Sequence, residues 1–213
     1  MGCLTLILPL VIILPLVLVL FFLNIVTVSF GKLGLTQSSA MVLLLLTLIG
    51  SMINIPLSRR KIPYQEPPQS RFGFFFFRPP PVTVQTIAIN LGGAIIPTGL
   101  ALYLIPRAAP APTIVATIVV ALVTWKLAKV VPGVGIAMPG IIPPLLSAGL
   151  AYLLARDNPA PVAYIAGTMG TLIGADLLNW SKFKNLGAQL ISIGGAGVFD
   201  GIFLSGLIAV LLA

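Results

Sequence analysis

Seven stretches of the chain are apolar for about twenty residues or more at a time, and short polar connections separate them. They run over residues 4–30, 36–57, 82–105, 112–131, 136–155, 161–180 and 194–213. A helix rises about 1.5 Å per residue, so roughly 20 residues cross a hydrocarbon core about 30 Å thick. The pattern predicts an all-α fold, a polytopic bundle of about seven membrane-spanning helices that fills residues 1–213 as a single domain. Pro9 and Pro15 are expected to kink the first span. Pro112 and Pro161 fall in the first turn of theirs, where a helix tolerates proline best. The first segment is too long for a signal-peptide core and has no basic start, so it reads as a span.

Composition agrees with the pattern. The chain is 58% hydrophobic and 8% charged, with a mean hydropathy of +1.13, whereas a soluble domain is about a quarter charged. No connection has room for a soluble catalytic domain. The formal charge is +8, but its twelve Lys and Arg residues sit at segment ends and in loops. There they anchor the chain to the lipid bilayer and set topology, so no nucleic acid is expected as a partner. A single cysteine, Cys3, rules out an internal disulfide, and with no histidine the usual zinc clusters are absent. No cofactor is expected. Gly2 opens no myristoylation signal, because position 6 is Leu6.

The basic residues also test the span count. The second, fourth and sixth loops hold nine: Arg59, Arg60, Lys61, Arg71, Arg78, Lys126, Lys129, Lys182 and Lys184. The first, third and fifth hold three: Lys32, Arg107 and Arg156. The positive-inside rule then gives a multi-pass protein of the cell membrane, with its N-terminus cytoplasmic and its C-terminus outside.

Of four acidic residues, Glu66 and Asp157 fall in polar connections, while Asp176 and Asp200 fall inside the last two apolar segments. A charged side chain at the bilayer centre costs at least roughly 2.5–3.5 kcal/mol, so an acid there is a functional-site hypothesis by default. Counted along antiparallel helices, each lies about five or six residues from the shared cytoplasmic connection, some 7–9 Å deep. The pair is the expected site. Ala166, Gly170 and Gly174, and likewise Gly197, Gly201 and Ser205, recur every four residues and supply faces for close helix packing. Asp200 lies about 60° from Gly197, but Asp176 is about 200° from Gly174 and shares a face with Leu172, Asn179 and Trp180.

Three chemistries fit two such acids. Carboxylates within hydrogen-bonding range hold one proton between them, so one acts as base on a water while the other protonates a leaving amide. That hydrolysis of a membrane-embedded peptide needs no metal. Held apart, the acids suit a cation- or proton-coupled transporter or channel. Third, one aspartate bonds Asn179 or a backbone group in an accessory, structural role.

The run GTMGTLIGADLLNW, then ISIGGAGVFDGIFLSGLIAVLLA, together with PGVGIAMPGIIPP, resembles an uncharacterised family of archaeal and bacterial polytopic membrane proteins of unknown function. More distantly, two aspartates on consecutive spans resemble the intramembrane aspartyl proteases of the presenilin and signal-peptide-peptidase type. That resemblance implies a catalytic pair, Asp176 and Asp200. The chain departs from the Tyr-Asp and Gly-x-Gly-Asp motifs, since Gly174-Ala175 precedes Asp176 and Val198-Phe199 precedes Asp200. The expected Pro-Ala-Leu element after the second aspartate is absent as well.

Two further segments stand out. Pro132 to Pro144 holds too many prolines and glycines for a continuous helix, Pro139 and Gly140 among them. It reads either as a tight connection or as a broken helix at a binding site. The connection of residues 58–81 sets five phenylalanines, Phe72 and Phe74 to Phe77, between Arg71 and Arg78. It is expected to be an amphiphilic cytoplasmic loop in the headgroup region, or else a short strand presenting substrate.

Overall fold

A computed structural model describes residues 2–65, 82–131, 135–185, 190–195 and 201–213. Helix α1 (Gly2–Lys32) is followed by α2 (Gln37–Ser51) and two strands, β1 (Asn54–Gln65) and β2 (Val82–Asn90). A π-helical turn, Leu91–Ile95, leads into α3 (Ile96–Leu104) and then α4 (Pro110–Leu127). Short strands β3 (Lys129–Val131) and β4 (Gly135–Ala137) precede α5 (Ile142–Leu154) and α6 (Pro159–Thr171). A second π-helical turn, Leu172–Leu177, extends α6, and β5 (Leu190–Ile193) precedes α7 (Gly201–Leu212). Among the described residues, three helical stretches are long and apolar enough to cross a membrane: Ile13–Lys32, Pro110–Leu127 and Pro159–Lys182. The chain is a membrane protein in that sense, and its other apolar helices are shorter.

The fold is mostly helical but not all-α, which corrects the expectation. β1 and β2 pair antiparallel from Asn54↔Asn90 to Gln65↔Val82, and β2 pairs parallel with β5 from Thr86↔Leu190 to Ile89↔Ile193. The segment expected as a helical span over 82–105 is therefore strand as far as Asn90, and helix only beyond it. Its first half, VTVQTIAIN, is rich in β-branched residues that suit a pleated surface. Hydropathy alone does not separate a buried strand from a buried helix. Likewise, the span expected over 36–57 ends at Ser51, and Pro56 and Pro63 then sit in β1, an edge strand that tolerates them.

The proline-rich segment is resolved in the same way. β3 and β4 pair antiparallel, Lys129↔Ala137 to Val131↔Gly135, so the chain is strand, not helix, on both sides of residues 132–134. Residues 132–134 lie outside the described residues, as does the phenylalanine run, within 66–81. The ends of that second stretch are held together, because Gln65 partners Val82.

Helix α6 is the hub of the bundle, with Ala160 to Thr168 buried without a break. In lipid, helices associate through close packing, which small residues permit. A Cβ at Gly170 would strike Val120 of α4, and one at Gly174 would land on the Thr124 hydroxyl and the Ala121 carbonyl. On the opposite side Gly206 of α7 lies against Thr168 and Tyr164. The glycine stripe of α6 is thus a helix-packing face toward α4.

Hydrogen bonds also sort the ends. Lys32 Nζ donates to the Leu211 carbonyl (2.9 Å), Arg107 Nη1 to Leu33 O (3.0 Å), and Asn158 Nδ2 to Arg107 O (3.0 Å). The first, third and fifth connections and the end of α7 therefore gather at one end of the bundle, and the sheet forms at the other.

Two outcomes test this arrangement. With Cys3 replaced by serine, Lys61→Cys and Val84→Cys, which face each other across β1 and β2, should form a disulfide in membranes; a helical 82–105 would leave them apart. Gly174→Val should lower the midpoint of thermal unfolding in detergent, by the equivalent of about 1–3 kcal/mol for an overpacked core site.

Candidate functional site at the carboxyl ends of the parallel strands

Where β2 and β5 run side by side, both stop at their carboxyl ends, and two π-helical turns meet there. A π turn widens the helix and leaves carbonyls without their usual donors, and such turns are frequent at functional sites. In the turn Leu172–Leu177 these carbonyls have a partner. Asn179 Nδ2 donates to Gly174 O (3.1 Å) and Ala175 O (2.9 Å), and the residue is fully buried. Its Oδ1 is buried with no protein partner among the described residues.

Asp176 sits in the same turn, half-buried. Its Oδ2 accepts a hydrogen bond from the Gly194 amide at 2.9 Å, the residue directly after β5. Gly194 has φ +81°, and a Cβ there would collide with Ala94 and the backbone of Gly93. A left-handed backbone this close to another chain segment requires glycine. The Gly194 amide thus meets the Asp176 carboxylate directly.

The other π turn is held by polar side chains of the sheet. Asn90 Oδ1 accepts from the Gly93 amide at 2.7 Å, while Asn90 Nδ2 donates to Ser51 O (2.7 Å) and Asn54 Oδ1 (3.1 Å). The Ser192 hydroxyl also donates to Asn54 Oδ1. Asn54, Asn90, Ser192 and Gly194 thus complete the site, and no helical pattern in the sequence groups them. One signal was available: Asn90 follows a β-branched run and precedes Gly92-Gly93, the composition of a capped strand-to-helix junction. Gly50 and Gly92 cross closely enough that a Cβ on Gly92 would meet the Thr47 carbonyl and the Ser51 amide, which fixes α2 against this junction.

The structure places the expected site residues unequally. Asp176, Asn179 and Gly174 come together in one turn. Leu172, expected on the face of Asp176, packs in an apolar cluster with Ile87, Ala94, Ile191, Ile193 and Ile202. Trp180 is 37% exposed. Pro139 and Gly140 are exposed, and no hydrogen bond among the described residues joins them to Asp176. Gly201 opens α7. Asp200 and Gly197 lie outside the described residues, but their neighbours in the chain do not: Gly194 bonds Asp176, and Ile202 packs in the cluster that holds Leu172.

Replacing Asn179 by leucine removes both donors to the π turn. Leaving buried carbonyls unsatisfied costs about 1–3 kcal/mol, so Asn179→Leu should lower thermal stability in detergent, whereas Leu178→Met at the exposed neighbouring position should not.

Residues 48–212 match the family described as a protein of unknown function, DUF1614. The matched region contains the sheet, both π turns and helices α3 to α7, and leaves out all of α1 and most of α2. No curated protein and no solved structure matches the chain. The match covers most of the sequence and agrees with the expected membership of an uncharacterised family: the chain belongs to the DUF1614 family of proteins of unknown function.

Proposed function

We propose that the chain is an intramembrane aspartyl hydrolase acting on membrane-embedded peptides, with Asp176 and Asp200 as its catalytic pair. The observation that carries this reading is the hydrogen bond from the Gly194 amide to Asp176 Oδ2. It ties the segment leading to Asp200 to the carboxylate of Asp176, and Ile202 beyond Asp200 returns to the cluster built on Leu172. The helical-wheel objection, that Asp176 faces away from its glycine stripe, assumes a regular helix. The π turn removes that assumption.

In the proposed reaction, Asp176 Oδ1, the oxygen not held by Gly194, takes a proton from water as the water oxygen adds to the scissile carbonyl. Asp200 gives its proton to the leaving amide nitrogen as the C–N bond breaks, and the pair ends with one proton as it began. The likeness to presenilin-type proteases rests on the two aspartates alone. By the positive-inside rule, the end that carries the sheet and most of the basic residues is the cytoplasmic one.

Asparagine at position 176 separates this function from a structural one. Its side-chain oxygen still accepts the Gly194 amide, but it neither takes nor gives a proton. With the protein in liposomes and a fluorogenic transmembrane peptide library as substrate, Asp176→Asn and Asp200→Asn should each reduce cleavage at least 100-fold while leaving the thermal midpoint close to wild type. Cleavage retained in Asp176→Asn would refute the catalytic assignment. No cleavage by the wild type, together with aspartate-dependent cation or proton flux, would establish transport instead.

A further inference from the structure

Three separate elements make the same change of exposed side chain as they reach the sheet end of the bundle. Along β1 the exposed residues pass from Ile55 and Leu57 to Arg59, Arg60 and Lys61. On α4 they pass from Leu122 to Trp125 and then Lys126, with Lys129 following at the start of β3. After the π turn that carries Asp176 they pass from Leu177 and Leu178 to Trp180 and then Lys182. Exposed apolar side chains suit hydrocarbon, tryptophan suits the interface, and lysine or arginine suits the phosphates above it.

Hydrogen bonds hold the three changes at one end. Helices α4 and α6 both start beside Arg107, whose carbonyl accepts from Asn158 Nδ2, and the Thr124 hydroxyl donates to Gly170 O at 3.2 Å. The two helices therefore run in the same direction, toward Trp125 and Trp180. Strand β1 leaves from that same end, because Asn54 Oδ1 accepts from Ser192 of β5 and Gly194 beyond β5 bonds Asp176. The 18 residues of α4 rise about 27 Å. A hydrocarbon core is about 30 Å thick, so α4 carries the chain from Arg107 at one boundary to Lys126 at the other.

Charge then selects the partner. Six exposed cations gather at the sheet end: Arg59, Arg60, Lys61, Lys126, Lys129 and Lys182. Among the described residues the acids are Asp157 and Asp176. Asp157 precedes Asn158 at the opposite end, and Asp176 holds the Gly194 amide. Such a surface attracts anions. A soluble acidic partner would match the cations but would leave Ile55 and Leu57, on the same strand, in water. A lipid leaflet covers both, with acyl chains on the apolar part and phosphates on the basic part.

We propose that β1 is a leaflet-binding strand, with Ile55 and Leu57 among acyl chains and Arg59, Arg60 and Lys61 on the phosphates of anionic phospholipids. Trp125 and Trp180 mark the boundary between the two layers. Asp176 precedes Lys182 by six residues, so the candidate site lies just beneath the headgroups. The inference rests on exposure and charge and does not depend on the hydrolase reading.

The chain has two tryptophans, both at the proposed boundary, so their fluorescence reports its depth. In liposomes of phosphatidylglycerol and phosphatidylcholine, lipids brominated near the headgroup should quench the full chain more than lipids brominated near the acyl terminus. The reverse order would overturn the proposal. Native mass spectrometry of the chain released from nanodiscs of the same two lipids reads the partner. Wild type should retain phosphatidylglycerol over phosphatidylcholine by about fivefold or more. Arg59→Gln, Arg60→Gln and Lys61→Gln combined should remove most of that preference while the thermal midpoint stays near wild type. Arg59→Lys with Arg60→Lys should keep it, and so should Arg156→Gln, at an exposed cation of the other end. A preference unchanged by the three glutamines would overturn the proposal. Equal retention of the two lipids by wild type would do the same and would leave the basic strand to a soluble acidic partner.

Discussion

Buried backbone amides and carbonyls must find their partners within the protein, and this constraint governs the fold. A continuous helix meets it automatically. A chain that passes from strand to helix, twice and side by side, does not. Where β2 and β5 end, polar side chains take up the groups that regular structure leaves over. Asn90 accepts the Gly93 amide, Asn179 donates to the Gly174 and Ala175 carbonyls, and Asp176 accepts the Gly194 amide. Asp176 is therefore part of the fold before it is anything else. An amide or hydroxyl side chain satisfies an N–H at lower desolvation cost than a carboxylate. The use of aspartate here is the reason to look past structure to chemistry.

Packing makes the junction stiff. Gly50 on Gly92, Gly174 on Thr124 and Ala121, and Gly194 on Ala94 are crossings where a single methyl group would collide with backbone or a neighbouring side chain. Together they lock α2, α4, both π turns and the end of β5 into one unit. A site that moves protons at a defined carboxylate benefits from such a frame, since its oxygens are held in place before a substrate arrives. The carboxyl ends of parallel strands, where following helices begin, are also a general location for binding crevices in α/β sheets. Here that geometry occurs in an apolar chain.

Much of this was legible in the residues, and the misses have physical causes. The apolar segments marked where α1, α4 and α6 run, although those over 36–57 and 82–105 pass into strand. The sheet was not legible from hydropathy, because Val82 to Asn90 is as apolar as a span and only its β-branched content distinguishes it. The partner of Asp176 was not legible either. Gly194 is eighteen residues away, and nothing in a helical wheel points to it. A wheel drawn at 100° per residue also fails at Leu172–Leu177, where the helix is wider than the wheel assumes.

The central claim is that the two acids work as a pair, and their separation tests it most directly. With Cys3 replaced by serine, Asp176→Cys and Asp200→Cys can be combined and oxidised in native membranes. A disulfide needs Cα atoms roughly 4.4–6.8 Å apart. Side-chain oxygens that share a proton across a catalytic site call for a spacing near that range, so ready cross-linking that spares a control pair such as Asp176→Cys with Ser205→Cys is the predicted result. No cross-link under strong oxidation, with a spin-label distance well beyond side-chain reach, would contradict it.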